Sequence, residues 1–79
     1  MKLKIGDKVR VTYKRGHGNN VIERRKIGEI MYLNTRFIVV KFKNHKESFC
    51  IADIVAPIDK VLEVRKNEQW TEIERKMLK

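Results

Sequence analysis

The feature that most constrains the fold is a strict alternation of apolar and polar residues near the start of the sequence. Across residues 8–14, Val9, Val11 and Tyr13 alternate with cationic or hydroxyl side chains. Successive side chains of a β-strand point to opposite faces, so a period of two predicts a half-buried strand. We therefore expect the three apolar side chains to face a core and the cations between them to face solvent.

Similar patterns predict four further strands, at residues 26–33, 36–43, 47–51 and 60–65. The segment Gly-His-Gly-Asn-Asn at 16–20 predicts a mobile loop, because these residue types tolerate positive φ. Residues 52–57 are too few for a helix and end at Pro57, which favours a single 3₁₀ turn.

From Asn67 onward the pattern becomes helical. Asn67 can cap a helix, and Trp70, Ile73 and Met77 follow at the spacing of one apolar helix face. The sequence thus predicts a mainly β protein: a five-stranded, SH3-like barrel over residues 1–66 and a C-terminal α-helix over 67–79 packed on it.

The opening strand and a later glycine carry a family resemblance. The segment Ile-Gly-Asp-Lys-Val-Arg-Val at residues 5–11, followed by Gly28-Glu29-Ile30, resembles the KOW motif of ribosomal and transcription-elongation proteins. It is also similar to the SH3-like modules of bacterial transcription regulators, which open with a Gly-Asp-x-Val strand. The resemblance implies a small barrel that binds nucleic acid in transcription or translation. Asp7 would accept hydrogen bonds from backbone amides in the turn before the strand.

Charge is distributed unevenly along the 79 residues. The formal net charge is +9, from 19 Lys and Arg against 10 Asp and Glu. Residues 1–26 carry nine cations and two carboxylates, a net of +7, whereas residues 51–79 carry six of each and sum to zero. Such a basic segment points to an anionic partner, with nucleic acid the first candidate.

The candidate interface follows from this asymmetry. In an antiparallel hairpin, the basic residues of the first strand and those after the loop should merge around the loop base, and exposed aromatics could stack on bases. The candidate nucleic-acid-binding residues are Lys8, Arg10, Lys14, Arg15, Arg24, Arg25, Lys26, Tyr32 and Phe37. For Tyr13 core packing is favoured, and for Tyr32 and Phe37 core packing and stacking are equally open.

Catalysis is not expected. His17 and His45 lie in predicted turns, and two His with one Cys at distant positions make no zinc-binding spacing. Cys50, in an apolar strand, is expected to be packed and unreactive, and no second cysteine exists for an intramolecular disulfide. We expect no metal, organic cofactor or small-molecule substrate.

The expected compartment is the cytoplasm. No apolar run approaches the ~18 residues of a membrane span, and the charged start lacks the apolar stretch of a secretion signal. The alternative to nucleic-acid binding is a protein-interaction module that docks its basic surface on an acidic protein.

Overall fold

The computed structural model describes residues 2–16, 22–55 and 60–78. Within these residues the chain forms a single antiparallel sheet of six strands in the order β4-β3-β2-β1-β5-β6. The strands are β1 (Lys8–Arg15), β2 (Ile22–Leu33), β3 (Phe37–Lys41), β4 (Lys46–Cys50), β5 (Lys60–Lys66) and β6 (Gln69–Glu72). A short helix, α1 (Ile51–Val55), follows β4, and a 3₁₀ helix (Arg75–Leu78) follows β6.

The mainly β character is confirmed, but the prediction of five strands is not, because the described residues form six strands in one sheet, with β6 as the additional one. The largest difference among the first five is at β2, which begins at Ile22, four residues before the predicted start. This extension pairs with β1 as far as Arg15, opposite Ile22. The segment before Pro57 forms the α-helical turn α1 instead of a 3₁₀ turn. The predicted loop residues 17–20, including His17, lie outside the described residues.

The core lies on one face of the sheet. Val9 and Val11 of β1 are completely buried, which confirms the prediction that the apolar residues of this strand face the core. Strands β2, β3, β4 and β5 all contribute buried side chains to the same cluster, and α1 and the 3₁₀ helix cover it. The cluster contains Leu3, Val9, Val11, Ile30, Ile38, Val40, Phe42, Phe49, Ile51, Ile54, Leu62, Val64, Ile73 and Met77. We call the core-facing side of the sheet the inner face and the other side the outer face.

The sheet is strongly curled, as contacts between distant strands show. The Tyr13 hydroxyl of β1 donates a 2.7 Å hydrogen bond to Glu47 Oε2 of β4. Lys60 Nζ at the start of β5 lies 5.2 Å from the ring centroid of Phe49 in β4. Strands β4 and β5 are four steps apart in the sheet, about 19 Å if it were flat at about 4.8 Å per strand. The curl brings the inner-face side chains of both halves together.

The turn before β1 has the predicted role for its aspartate. Asp7 Oδ2 accepts a 2.8 Å hydrogen bond from the Lys4 amide and another of 2.8 Å from Lys66 Nζ. Gly6 adopts a φ of 97°, which is open to glycine at little cost. Asp7 therefore links the entry of β1 to the end of β5.

The predicted C-terminal helix is wrong. Asn67 and Glu68 have φ values of 51° and 65° and form the two-residue loop of a hairpin between β5 and β6. Positive φ at both loop residues is the mark of a type I′ turn, whose twist matches paired strands. Strand pairing with β5 satisfies the backbone groups that a helix would have satisfied internally.

The apolar residues of that segment still reach the core. Ile73 and Met77 are buried, while Trp70 is only half-buried on the outer face. The Ile73 amide donates to the Leu62 carbonyl, and the Leu3 amide donates to the Met77 carbonyl. The C-terminal segment is thus part of the sheet and its core.

Candidate nucleic-acid interface

The register of the β1–β2 hairpin distributes the basic residues over both faces of the sheet. Arg24 lies opposite Tyr13 and Lys26 opposite Val11, so both share the inner face. Arg25, between them in sequence, lies opposite Thr12 on the outer face. The two basic runs therefore meet along the hairpin, as expected, but they do not form one surface.

The outer-face cations of the hairpin are matched by carboxylates. Lys8 Nζ lies 3.6 Å from Glu29, Lys14 Nζ lies 3.9 Å from Glu23, and Arg25 Nη2 lies 3.7 Å from the same Glu23. These exposed pairs add little stability. They do, however, reduce the positive potential that this face presents to an anionic partner.

The Arg10 side chain is held in contacts with Glu63 and Trp70 within the sheet. Its Nε and Nη2 donate hydrogen bonds of 3.1 and 2.9 Å to Glu63 Oε1 on β5. Its guanidinium carbon lies 4.7 Å from the ring centroid of Trp70 on β6, within the range of a cation–π interaction. Arg10 thereby holds β6 against the rest of the sheet, with three-quarters of its side chain covered.

The inner-face end of the hairpin forms a cleft of about 370 Å³ lined by Tyr13, Ile22, Arg24, Lys26 and Glu47. We call it the basic cleft. Arg24 and Lys26 are both exposed, and neither forms an ion pair within the described part of the chain. Their charge is available to an anion, unlike that of the outer-face cations.

Tyr13 and Glu47 form a fixed pair in the cleft. Burial, followed by the hydrogen bond to Glu47 and the negative charge of that carboxylate, raises the pKa of Tyr13 well above its ordinary range. Tyr13 therefore stays protonated and keeps donating to Glu47 at any physiological pH. Its half-buried ring matches the expectation of core packing only in part, since the hydroxyl end borders the cleft.

Lys26 connects the basic cleft to the turn between β3 and β4. Its Nζ lies 5.5 Å from the ring centroid of Tyr13 and 5.8 Å from that of Phe42. The Phe42 ring stacks on His45, with centroids 5.0 Å apart. His45 Nε2 in turn lies 3.6 Å from Glu47 Oε1, an ion pair when His45 is protonated. Phe42 itself is buried, so the surface that joins the basic cleft to this turn presents Lys26, the half-buried Tyr13 and the exposed His45.

Three further cations border this turn and were missing from the sequence-based candidates. Lys41, Lys43 and Lys46 are exposed and have no carboxylate partner among the described residues. Lys43 lines a groove together with Lys26 and His45. The signal available in the sequence was the density of lysines on both sides of Asn44 and His45. It was hidden in the charge of residues 27–50, where four cations against two carboxylates give a net of only +2.

Tyr32 and Phe37 lie elsewhere. Tyr32 pairs with Val39, and Phe37 alternates with buried Ile38, so both rings are on the outer face. Their centroids are 5.7 Å apart and Tyr32 is 49% exposed, which leaves it accessible for stacking. The structure does not bring them together with Arg24 and Lys26.

Two other sequence-based expectations fall in or near this region. Cys50 is exposed, opposite Phe37 at the end of β4, so the expectation of a packed thiol is wrong. The reason is register: Phe49 takes the inner face and its neighbour must point outward. The side chain of Arg15 lies outside the described part of the structure.

Comparison with protein-family models, curated proteins and solved structures found no match to this chain. Among the described residues, no three side chains of the metal-ligating types cluster together. None of the helices in that part of the chain has the length and apolar character needed to cross a bilayer.

Proposed function

We propose that this protein is a non-catalytic nucleic-acid-binding module of the cytoplasm that acts mainly through phosphate contacts. The observation that carries the proposal is a set of cations with no ion-pair partner among the described residues, Arg24, Lys26 and Lys43, which line the basic cleft and the adjoining groove. Lys and Arg neutralise phosphates, and the exposed ring of His45 in the same groove offers a base a face to stack on without strong sequence preference. The net charge of +9 adds a long-range attraction for any polyanion.

We further propose that the curled sheet is an SH3-like barrel of the KOW type, with β6 added at one edge. In support, β1 to β4 form a consecutive antiparallel series, β5 returns to pair with β1, and α1 precedes β5. The glycine of the KOW-like segment, Gly28, is buried opposite Val9. A role in transcription or translation follows from this resemblance.

The test compares two double variants of the same hairpin by fluorescence anisotropy, with single-stranded RNA, single-stranded DNA and duplex DNA as probes. Arg24→Gln/Lys26→Gln removes two charges from the inner face. Lys14→Gln/Arg25→Gln removes two charges from the outer face, so the change in net charge is matched. We expect the inner-face variant to lose about tenfold or more in affinity and the control about twofold.

Equal losses in the two variants would contradict the assignment to the inner face. No binding of any of the three probes at about 0.1 M salt, a Debye length of about 10 Å, would contradict nucleic-acid binding itself. The same cations would then favour the alternative, an acidic protein partner.

A further inference from the structure

We propose, on the basis of the proposed function, that the basic cleft receives one unpaired nucleobase and that the natural ligand is therefore single-stranded. The cleft volume of about 370 Å³ is at the small end of ligand pockets, which span about 300–1,000 Å³. A cleft of this size suits a single base with its phosphate. Bases within a duplex are stacked and paired, and they reach such a site only after being extruded at a cost.

Glu47 is the residue that distinguishes this cleft from a simple phosphate site. A carboxylate among cations weakens phosphate binding, yet Glu47 is held in place by the 2.7 Å hydrogen bond from Tyr13. A carboxylate has about four lone-pair positions, so this bond and the contact of Glu47 Oε1 with His45 Nε2 at 3.6 Å together leave acceptor capacity. The donors that an RNA nucleotide offers to Glu47 are the N–H groups of its base and the ribose 2′-hydroxyl. The 2′-hydroxyl is the same in every nucleotide, so any preference among bases must come from the base N–H groups.

The chemistry of the base edges gives a preference. Cytosine, adenine and guanine carry exocyclic amines that a carboxylate accepts from. The single N–H of uracil lies between two carbonyl oxygens, which a carboxylate repels. With the phosphate on Arg24 or Lys26, Glu47 would therefore favour cytosine over uracil at this position.

Among the described residues, Ile22 gives the cleft an aliphatic side chain. Ile22 is 61% exposed at the start of β2, although it shares the inner face with Arg24. A large exposed apolar side chain beside two cations offers the flat face of a base a surface to cover. Burying that surface adds affinity without sequence preference.

The experiment measures the affinity of the protein for three probes at one salt concentration. They are oligo(rC) and oligo(rU) of equal length, and duplex DNA. We expect wild-type protein to bind oligo(rC) about tenfold tighter than oligo(rU), the ratio that 1.4 kcal/mol confers. Glu47→Gln should bring the ratio close to one. Glu29→Gln, which removes the same charge on the outer face, should leave the ratio unchanged.

A second variant does not depend on the Tyr13–Glu47 pair. Ile22→Ser changes an exposed side chain, so the fold should be kept, and circular dichroism checks this. We expect it to weaken both single strands several-fold and to leave duplex binding unchanged.

The outcomes separate this inference from the proposed function. Duplex binding as tight as single-strand binding, or a base ratio that Glu47→Gln does not change, would overturn the unpaired-base site while salt-dependent nucleic-acid binding still stood. Absence of binding to every probe would overturn both.

Discussion

Gly28 occupies a position in β2 where no side chain fits. A Cβ built there would lie 2.5 Å from the Lys41 carbonyl oxygen, 2.8 Å from Val40 Cγ1 and 3.0 Å from Phe42 Cδ1. The carbonyl belongs to the backbone of β3 and cannot rotate away. Close approach of two backbones is one of the few reasons for a glycine inside a strand.

Gly28→Ala should therefore destabilise the protein by about 1–3 kcal/mol, the usual cost of forcing extra atoms into a packed site. Urea denaturation followed by circular dichroism measures the change. Ser48→Ala, on the exposed side of β4, is the control and should alter stability by less than about 0.5 kcal/mol. A Gly28→Ala protein as stable as wild type would show that β2 and β3 can separate freely at this point.

The hairpin loop between β5 and β6 contains an unfavourable residue. Glu68 holds a φ of 65°, a left-handed conformation that costs a residue with a Cβ about 1–2 kcal/mol. Asn-Gly is the preferred pair for a type I′ turn. Glu68→Gly should raise the free energy of unfolding by about 1 kcal/mol, seen as a higher denaturation midpoint.

The matched control is Gln69→Gly in the adjacent strand position, where glycine should lower stability by about 0.5–1 kcal/mol. Destabilisation by both substitutions would argue against the type I′ loop and in favour of another conformation at Glu68.

Asn67 illustrates why the sequence misled at the residue scale. Asparagine is preferred both as a helix N-cap and in type I′ turns, so its presence does not distinguish the two. The bond of Asp7 to the Lys4 amide, by contrast, was predicted correctly because it is local, whereas the bond of Asp7 to Lys66 Nζ joins residues 59 apart and was not predicted. A hydrogen bond between residues close in sequence can be predicted when only one local structure forms it.

At the scale of elements, the C-terminal segment shows a similar ambiguity. Trp70, Ile73 and Met77 have helical spacing. In the structure, however, Ile73 directly follows the edge strand β6 and Met77 lies in the 3₁₀ helix, and both side chains reach the core from there. Pairing with β5 and the contact of Trp70 with Arg10 decide the outcome, and both are tertiary interactions. Propensity alone could not supply them.

Ile73→Ala tests whether this segment belongs to the core. Ile73 is only 2% exposed, so truncation should cost about 2–5 kcal/mol. Glu74→Ala, at the exposed neighbouring position, should be almost neutral. Thermal unfolding of the two variants gives the comparison. Equal melting temperatures would mean that the segment after β5 does not contribute to the stability of the core.

The basic hairpin carries the part of the candidate site that the sequence predicted, while the lysines of the turn between β3 and β4 were not predicted. The sequence identified Arg24, Arg25 and Lys26 as binding residues but assigned them to one surface. Three consecutive residues of a strand cannot share a face. The prediction failed because β2 was expected to begin at Lys26, which would have left Arg24 and Arg25 in a loop.

At the scale of the whole molecule, curling of the sheet decides which charges act together. Lys43 is 17 residues from Lys26 in sequence, yet both border one groove through Phe42 and His45. Meanwhile, Lys8, Lys14 and Arg25 of the most basic third are paired with Glu29 and Glu23. Net charge along the chain therefore predicted the presence of a basic surface but not its members, which depend on register and long-range packing.

The salt dependence of binding tests this redistribution of charge. If Arg24, Lys26 and Lys43 each neutralise one phosphate, log affinity for single-stranded RNA should fall with log salt with a slope of about −2.1, at about −0.7 per contact. Arg24→Gln/Lys26→Gln should reduce the slope to about −0.7, because two contacts and the counterions they release are lost. Anisotropy titrations at several salt concentrations measure both slopes. Lys14→Gln/Arg25→Gln carries the same change in net charge and should keep the wild-type slope, since its cations already have protein carboxylates as counterions. A slope that falls equally in both variants would mean that the partner responds to overall charge alone, without a defined binding surface.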